Sequence, residues 1–199
     1  MSLDFYFDYR SPFSYLANTQ IRTMKASTKY LPVDVLAVMK RVSNQPSTAC
    51  PPKARYAMVD AQRWAEHYGV PFVPNFGLLT AMAKGQVCGD LFSRAGLAAQ
   101  KQDVFENVHD ALFAAVWAGT DDLVTAEGRE AFAKAHAPQA PDLWSLAESQ
   151  GVLDEINAQS DAAAERGVFG VPAMFVGAEM FFGNDRLELA RSRLNSLQG

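Results

Sequence analysis

The arrangement most suited to chemistry near the start of the chain is a serine followed by a proline, Ser11-Pro12. The segment 3–7 before it is almost wholly apolar or aromatic, as expected of a buried strand. After Ser11-Pro12, apolar residues recur at helical spacing. Because serine is favoured as a helix cap and proline at the first helical position, we expect a helix to begin here. Such a turn offers a hydroxyl and free backbone N–H groups, which suit a bound anion such as a thiolate.

Two more features describe the N-terminal part. The first helix is expected to end near Lys25. Beyond it, β-branched and apolar residues predict a second strand, with Val33, Val35, Leu36 and Val38 as its members. A strand, a helix and a strand in this order predict a parallel pair of strands joined by a right-handed crossover.

The middle of the chain has a different periodicity. A stretch containing proline and serine, 46–52, breaks the pattern, and apolar residues beyond it recur with the 3.6-residue period of helices. Helical segments are expected around 61–68, 91–100, 104–116, 126–136 and 142–150. We therefore predict an all-helical domain over 46–150, inserted into an α/β core formed by 1–45 and 151–199.

The C-terminal part returns to mixed structure. A helix is expected from about Leu153 to Arg166, stopped by Gly167. Residues 171–176 and 179–182 then predict a β-hairpin. A last amphipathic helix follows, with Asn184 or Asp185 as its cap.

Composition limits the class of function. The 199 residues are 49% hydrophobic and 20% charged, with a formal net charge of −4, so there is no basic field for nucleic acid or an anionic membrane. No apolar run approaches the roughly 18 residues that span a bilayer, and the N-terminus lacks the features of a signal peptide. We therefore expect Cys50 and Cys88 to be reduced and the protein to be cytoplasmic. The three histidines lie in no metal-ligand spacing, so no metal is expected.

Five motifs occur in an order that is found in one enzyme family. They are Asp8-x-x-Ser11-Pro12, Lys53, the segment 60–65 (DAQRWA), the segment 167–172 (GVFGVP) and the segment 183–187 (GNDRL). Together they resemble the 2-hydroxychromene-2-carboxylate isomerases, which are related to the kappa-class glutathione transferases. The resemblance covers essentially the whole chain. It implies a thioredoxin-like core with an inserted all-helical domain, bound glutathione, a small aromatic carboxylate substrate and a homodimer.

The resemblance gives Ser11 a specific role. Redox proteins of this architecture carry Cys-x-x-Cys at the turn into the first helix, whereas we place Arg10-Ser11-Pro12-Phe13 at those positions, so no dithiol chemistry is expected. Ser11 would donate a hydrogen bond to the glutathione sulfur. Lowering a thiol pKa by about 2 units takes roughly 2.7 kcal/mol, which is of the order that one charge-assisted hydrogen bond and a helix terminus supply. The alternative is a helix cap without a chemical role.

Other residues receive roles only through the resemblance. Val171-Pro172 would contain a cis-proline, which leaves the Val171 backbone free to pair with the cysteinyl part of glutathione. Asp185 and Asn184 would contact the γ-glutamyl ammonium and carboxylate, although both also fit simple helix capping. Lys53 would bind the glycyl or the substrate carboxylate, or would be a solvated lysine. Asn44 is a weaker candidate for a contact, and no role is assigned to Asp8 or Arg186.

Three functions fit these residues. The preferred hypothesis is glutathione-dependent cis–trans isomerisation of 2-hydroxychromene-2-carboxylate to trans-o-hydroxybenzylidenepyruvate, with Lys53 stabilising the developing enolate. The first alternative is a kappa-like glutathione transferase that conjugates or reduces electrophiles. The second is a noncatalytic thioredoxin-like binding module that has kept the groove and lost the chemistry.

Overall fold

The computed structural model describes residues 2–24, 26–119 and 121–197. Within these residues the chain forms one four-stranded sheet and ten α-helices. The strands are β1 (Leu3–Phe7), β2 (Thr28–Pro32), β3 (Ala173–Val176) and β4 (Glu179–Phe182). The helices are α1 (Pro12–Ile21), α2 (Val35–Arg41), α3 (Pro51–Tyr68), α4 (Phe76–Ala83), α5 (Leu91–Lys101), α6 (Phe105–Trp117), α7 (Ala126–His136), α8 (Leu143–Ala147), α9 (Gln150–Glu165) and α10 (Leu187–Ser196). Short 3₁₀ helices occur at Ser47–Ala49 and Asn184–Arg186.

The sheet has the strand order β2-β1-β3-β4. β1 and β2 are parallel, as predicted, while β3 is antiparallel to both β1 and β4. The carboxyl ends of β1, β2 and β4 therefore lie at the same end of the sheet as the amino end of β3. Segments far apart in sequence meet at that end.

The position of the second strand differs from the prediction. The strand lies at Thr28–Pro32, and the residues from Val35 onward form α2 instead. Helix α2 begins because the side chain of Asp34 accepts a hydrogen bond from the Leu36 N–H at 3.1 Å, which satisfies one of the free donors of the first turn. The β-branched residues that suggested a strand are accommodated in a helix because Val38 is buried in the core.

One face of the sheet carries a compact apolar core. It is formed by side chains from β1, β3, α2, the end of α9 and the segments just before α2 and β3. Its members are Tyr6, Val33, Val38, Ala163, Val168, Val171, Ala173 and Phe175. Aromatic contacts continue on both faces of β1. Tyr6 packs edge-on against Phe175, and Phe5 packs edge-on against Tyr30. Burial of both faces explains why β1 is apolar without alternation.

The ends of the remaining elements follow local signals only in part. α1 begins at Pro12 as predicted and ends at Ile21, while Lys25 lies outside the described residues. The hairpin of β3 and β4 is confirmed, and Gly177 occupies its left-handed turn position with φ +64°. The predicted cap of the last helix is wrong. The 3₁₀ helix Asn184–Arg186 comes first, and α10 has Arg186 at its cap position with no side-chain capping bond.

The chain divides into two compact units, one comprising Met1–Val70 with Gln159–Gly199 and the other comprising Pro71–Ala158. The first contains the sheet. The second contains α4 to α8 with the start of α9, and its secondary structure in the described residues is helical apart from one bridge between Val73 and Ala118. The helices predicted around 91–100, 104–116 and 126–136 are present, and α4 was not predicted.

The boundaries of these two units differ from those of the predicted domains, which were placed after residues 45 and 150. The first unit extends to Val70 because α3 packs against α1. The buried side chains of α3, Ala61 and Ala65, belong to the apolar helical face predicted around 61–68.

Candidate active site

Three segments of the first unit meet at the end of the sheet defined above. They are the turn between β1 and α1, the residues just before β3, and the residues just after β4. The backbone N–H of Gly183 donates to the carbonyl of Pro172 at 3.0 Å and so ties the second segment to the third. The segments that sequence analysis singled out at 8–12, 167–172 and 183–187 therefore form one neighbourhood.

Ser11 caps α1, as predicted. Its backbone is extended, with φ −95° and ψ 116°, and its Oγ accepts a hydrogen bond from the Ser14 N–H at 3.1 Å. The same Oγ donates to the carbonyl of Val171 at 3.4 Å, across 160 positions of sequence. This is a long hydrogen bond, and a better acceptor could replace it at little cost. The hydroxyl is therefore available to an anion at the positive end of a ten-residue helix.

The positions expected to correspond to Cys-x-x-Cys, Arg10 to Phe13, begin one residue before the helix cap, and the sequence has no cysteine there. Ser11 and Ser14 both place hydroxyls at this turn, and the Ser14 N–H closes the turn on Ser11 Oγ. Ser14 is fully buried, and its Oγ has no hydrogen-bond partner in the described part of the chain.

The segment that contacts the Ser11 hydroxyl is Val171-Pro172. The peptide bond between them is cis, which confirms that expectation. Ladder pairing of β3 with β1 begins only at Ala173. The Val171 N–H makes no hydrogen bond within residues 2–24, 26–119 and 121–197, and its carbonyl accepts only the long bond from Ser11. One donor and one acceptor are thus open to an extended peptide.

Asn184, which is expected to contact the γ-glutamyl carboxylate, has its side chain engaged within the protein in this structure. It is 4% exposed, and its Nδ2 donates to the Tyr68 hydroxyl at 3.2 Å, while that hydroxyl donates to the Asn184 carbonyl at 3.2 Å. Burial raises the pKa of Tyr68, and the hydrogen bond from Asn184 opposes that change in part. The amide of Asn184 is therefore engaged with α3.

Asp185 and Arg186 are both exposed, and they form an ion pair with Arg186 Nη1 at 2.7 Å from Asp185 Oδ2. Gly183 precedes them with φ +99°, a conformation that residues with side chains rarely adopt. The 3₁₀ turn that carries both residues packs against α1. The Asp185 carboxylate is thus accessible at the same end of the sheet as Ser11.

Asn44 and Lys53 are less directly connected to the site. Asn44 Nδ2 donates to the carbonyl of Phe169 at 2.8 Å, and its Oδ1 accepts from the Gln45 N–H at 2.8 Å. Asn44 thereby holds the chain two residues before Val171. Lys53 lies exposed in the first turn of α3, and among the described residues it has no hydrogen bond or ion pair.

Sequence reasoning missed an ion cluster beside Ser11. Arg10 contacts the carboxylates of both Asp8, at 2.6 Å, and Asp34, at 2.5 Å. Asp8 is 1% exposed. The signal available in the sequence was an aspartate at the end of β1 two residues before an arginine, but Asp34 could not be connected to them from spacing alone.

The two cysteines are free, as expected. Cys88 is exposed, and its thiol donates to Asp90 Oδ1 at 2.8 Å. Partial burial and the neighbouring Asp90 raise the pKa of Cys88 above its ordinary value. Within the described residues no group of three or more His, Cys, Asp and Glu side chains could hold a metal ion. No helix there has the length and apolarity needed to cross a membrane.

Comparison with known proteins places this geometry in a family. The model of the DSBA-like thioredoxin domain matches residues 2–195. A 2-hydroxychromene-2-carboxylate isomerase of Pseudomonas putida is 34% identical over 221 aligned residues, covering 99% of this chain and 96% of its own length. The glutathione S-transferase kappa 1 of Caenorhabditis elegans is more distant, at 22% identity over 98% of this chain and 92% of its own.

A solved structure supports the same relationship. The structure of a 2-hydroxychromene-2-carboxylate isomerase matches with a TM-score of 0.82 and 29% identity, covering 99% of this chain and 96% of the other. The predicted fold class, a thioredoxin-like α/β core with an inserted all-helical part, is confirmed. The chain belongs to the DsbA-like thioredoxin-domain family and, within it, to the 2-hydroxychromene-2-carboxylate isomerases.

Proposed function

We propose that this protein is a glutathione-dependent isomerase that interconverts 2-hydroxychromene-2-carboxylate and trans-o-hydroxybenzylidenepyruvate. The names of its relatives support the isomerase activity, and the kappa transferase among them supports glutathione as the cofactor. When bound, glutathione supplies a thiolate that adds reversibly to the conjugated double bond, so that the bond can rotate before elimination restores the alkene. The protein needs no cysteine of its own at this turn for such chemistry.

The residues at the end of the sheet fit a tripeptide thiol. Val171 offers one N–H donor and one carbonyl acceptor outside the ladder, which matches the backbone of an extended peptide. Ser11 offers a hydroxyl at a helix N-terminus, which matches a thiolate. Asp185 offers an exposed carboxylate, which matches an ammonium group.

Each residue has a defined part in this proposal. Ser11 turns its hydroxyl proton from the Val171 carbonyl to the sulfur and stabilises the negative charge. Val171 and Pro172 align the cysteinyl part, and Asp185 holds the γ-glutamyl ammonium. Asn184 acts by fixing the chain beside Asp185 through Tyr68 rather than by direct contact of its amide. Lys53 carries an unpaired ammonium, in the described residues, that would hold the substrate carboxylate or the glycyl carboxylate.

Asn44 is assigned a supporting role, because it holds the Phe169 carbonyl and hence the approach to Val171. A homodimer in the cytoplasm stays a prediction.

The observation that carries the proposal is the Ser11 hydroxyl directed at Val171. Isomerase turnover should be measured on 2-hydroxychromene-2-carboxylate with and without glutathione, in the native protein and in Ser11→Ala. We expect turnover to require glutathione and to fall at least about tenfold in the variant, the equivalent of a thiol pKa higher by about 1 unit, because the helix terminus remains. Turnover that needs no glutathione, or that survives in Ser11→Ala, would refute this mechanism.

A matched control separates chemistry from capping. Thr125 caps α7 as Ser11 caps α1, with its Oγ1 accepting from the Gly128 N–H at 3.0 Å. Thr125→Ala should cost about 1 kcal/mol of stability, like the loss of any serine or threonine cap, without lowering turnover. Net consumption of glutathione by an electrophile, with no isomerase turnover, would instead favour the kappa-like transferase.

A further inference from the structure

Arg10, the residue immediately before Ser11, is the centre of an ion cluster that the proposed chemistry does not use. Its Nη2 donates to Asp8 Oδ2 at 2.6 Å and to Asp34 Oδ1 at 2.5 Å. Its Nε donates to both carboxylate oxygens of Asp8, at 3.0 and 3.2 Å. The side chains of Arg10, Asp8 and Asp34 are 16%, 1% and 22% exposed, so water has little access to them.

Asp8 connects this cluster to the backbone of the turn and to the first residue of α2. Its carboxylate accepts from the Arg10 N–H at 2.9 Å and from the Val35 N–H at 3.0 Å. Its carbonyl accepts from the Ser11 N–H at 3.0 Å. The backbone that leads into Ser11 is therefore held by the same residue that holds the Arg10 guanidinium.

Asp34 connects the cluster to two helices. Its carboxylate caps α2 through the Leu36 N–H, and its own N–H donates to Ser160 Oγ on α9 at 2.9 Å. One guanidinium thus joins the turn of Ser11 to the start of α2 and to the end of α9.

A buried ion cluster is weak evidence for stability, because the cost of removing charges from water offsets their attraction. Burial by itself would lower the pKa of Arg10, but the charges and hydrogen bonds of Asp8 and Asp34 raise it overall, so the guanidinium stays charged. A planar guanidinium with several charged hydrogen bonds accepts few arrangements of its partners. Its effect is therefore on geometry, and the element that it touches is the turn ending at Ser11.

We propose that Arg10, clamped between Asp8 and Asp34, is a positioning residue that sets the direction of the Ser11 hydroxyl. Its consequence for catalysis rests on the proposed function. The Oγ of Ser11 lies between the Ser14 N–H and the Val171 carbonyl, and the second of these contacts is already long at 3.4 Å. A displacement of about 1 Å at a reacting group can cost roughly 100-fold in rate.

The variant Asp34→Ser tests this proposal with little risk to the fold. Serine is a favoured helix cap, so α2 retains its N-terminal hydrogen bond, but the shorter side chain does not reach Arg10. The control is Asp161→Asn, which removes the ion pair of Asp161 with Arg41 between α9 and α2 without touching Arg10.

The first measurement needs no ligand. Amide hydrogen exchange of Ser14 reports the hydrogen bond to Ser11 Oγ. In Asp34→Ser we expect this amide to exchange about tenfold faster relative to the amides of β3, the equivalent of losing one ordinary hydrogen bond. In Asp161→Asn it should exchange at the native rate. If the Ser14 amide of Asp34→Ser exchanges at the native rate, the proposal is overturned, whether or not the protein binds glutathione.

The second measurement is the thiol pKa of bound glutathione. Removing the negative charge of Asp34 by itself would lower this pKa, whereas a misplaced Ser11 hydroxyl would raise it. We expect a rise of about 1 unit in Asp34→Ser, and a fall or no change contradicts the proposal. Arg10→Lys, which keeps the positive charge but loses the planar guanidinium, should show the same rise in the thiol pKa. A native thiol pKa in Arg10→Lys would also overturn the positioning role of Arg10. If the native protein binds no glutathione, the proposed function fails, and the exchange measurement still decides the positioning role.

Discussion

The missing side chain of Gly183 determines where the Asp185 carboxylate lies. A Cβ at Gly183 would be 2.5 Å from Asp185 Oδ1, which is closer than two such atoms can approach. The carboxylate therefore folds back over the Gly183 backbone while its other oxygen contacts Arg186. The φ of +99° at Gly183 adds a second reason for glycine at this position.

Replacement of Gly183 by alanine should displace Asp185 and weaken glutathione binding. We expect the affinity in calorimetry to fall about tenfold, the equivalent of about 1.4 kcal/mol. Stability should also fall by about 1–3 kcal/mol, because alanine is strained at this φ.

Gly177→Ala is the control for strain. Gly177 also has a positive φ, of +64°, but its Cβ would meet no atom within 4 Å. This variant should lose stability in urea unfolding and keep its glutathione affinity. Equal losses of affinity in the two variants would show that Asp185 does not hold the ligand.

Replacement of Ser14 by alanine should be neutral or stabilising. The Ser14 Oγ is buried and has no partner in the described residues, so the native state bears the cost of its desolvation. Removing it should raise the free energy of unfolding by about 1 kcal/mol, while the Ser14 N–H still closes the turn on Ser11. Urea unfolding checks this, and a clear loss of stability would indicate a partner such as an internal water.

Replacement of Tyr68 by phenylalanine should destabilise the site. It removes both hydrogen bonds with Asn184, whose buried amide is left without that partner. We expect a loss of about 1–3 kcal/mol in urea unfolding. Tyr56→Phe on the same helix is the control, because Tyr56 is 61% exposed and makes only a 3.4 Å contact with Asp60. A similar loss in the control would mean that the effect belongs to α3 rather than to Asn184.

The Tyr68→Phe variant also tests a pH dependence of stability. Burial raises the pKa of Tyr68 above its ordinary value of 10.0, so the neutral phenol is favoured in the folded state. The stability that this contributes is present below about pH 10 and is lost as the pH rises through the folded-state pKa. The free energy of unfolding, measured from pH 8 to pH 11, should therefore fall less steeply in Tyr68→Phe than in the native protein. Parallel curves for the two proteins would contradict the raised pKa of Tyr68.

Cys88 should react slowly despite its exposure. Partial burial and Asp90 raise its pKa, so less of the reactive thiolate is present at neutral pH than in an ordinary thiol. Alkylation rates of the Cys50→Ser variant, compared with free cysteine across pH, should show the profile of Cys88 displaced to higher pH. A profile matching free cysteine would exclude the hydrogen bond to Asp90 as a control on reactivity.

Local signals were sufficient for much of the fold and for the first member of the site. Ser11 followed by Pro12 predicted the start of α1, and the structure shows the capping bond. The glycine between β3 and β4 predicted the hairpin turn. These signals work from sequence because the groups involved lie within a few residues of each other, whatever the rest of the chain does.

Tertiary structure decided the features that depend on distant partners. β-branched residues at 33–38 suggested a strand, but the burial of Val38 against residues distant in sequence, such as Phe175, favours α2 there. The contact of Ser11 with Val171, the clamp on Arg10 and the use of Asn184 to bind Tyr68 also join residues from separate elements. Spacing along the chain carries no information about such pairs, because their energies arise only when folding removes both groups from water together.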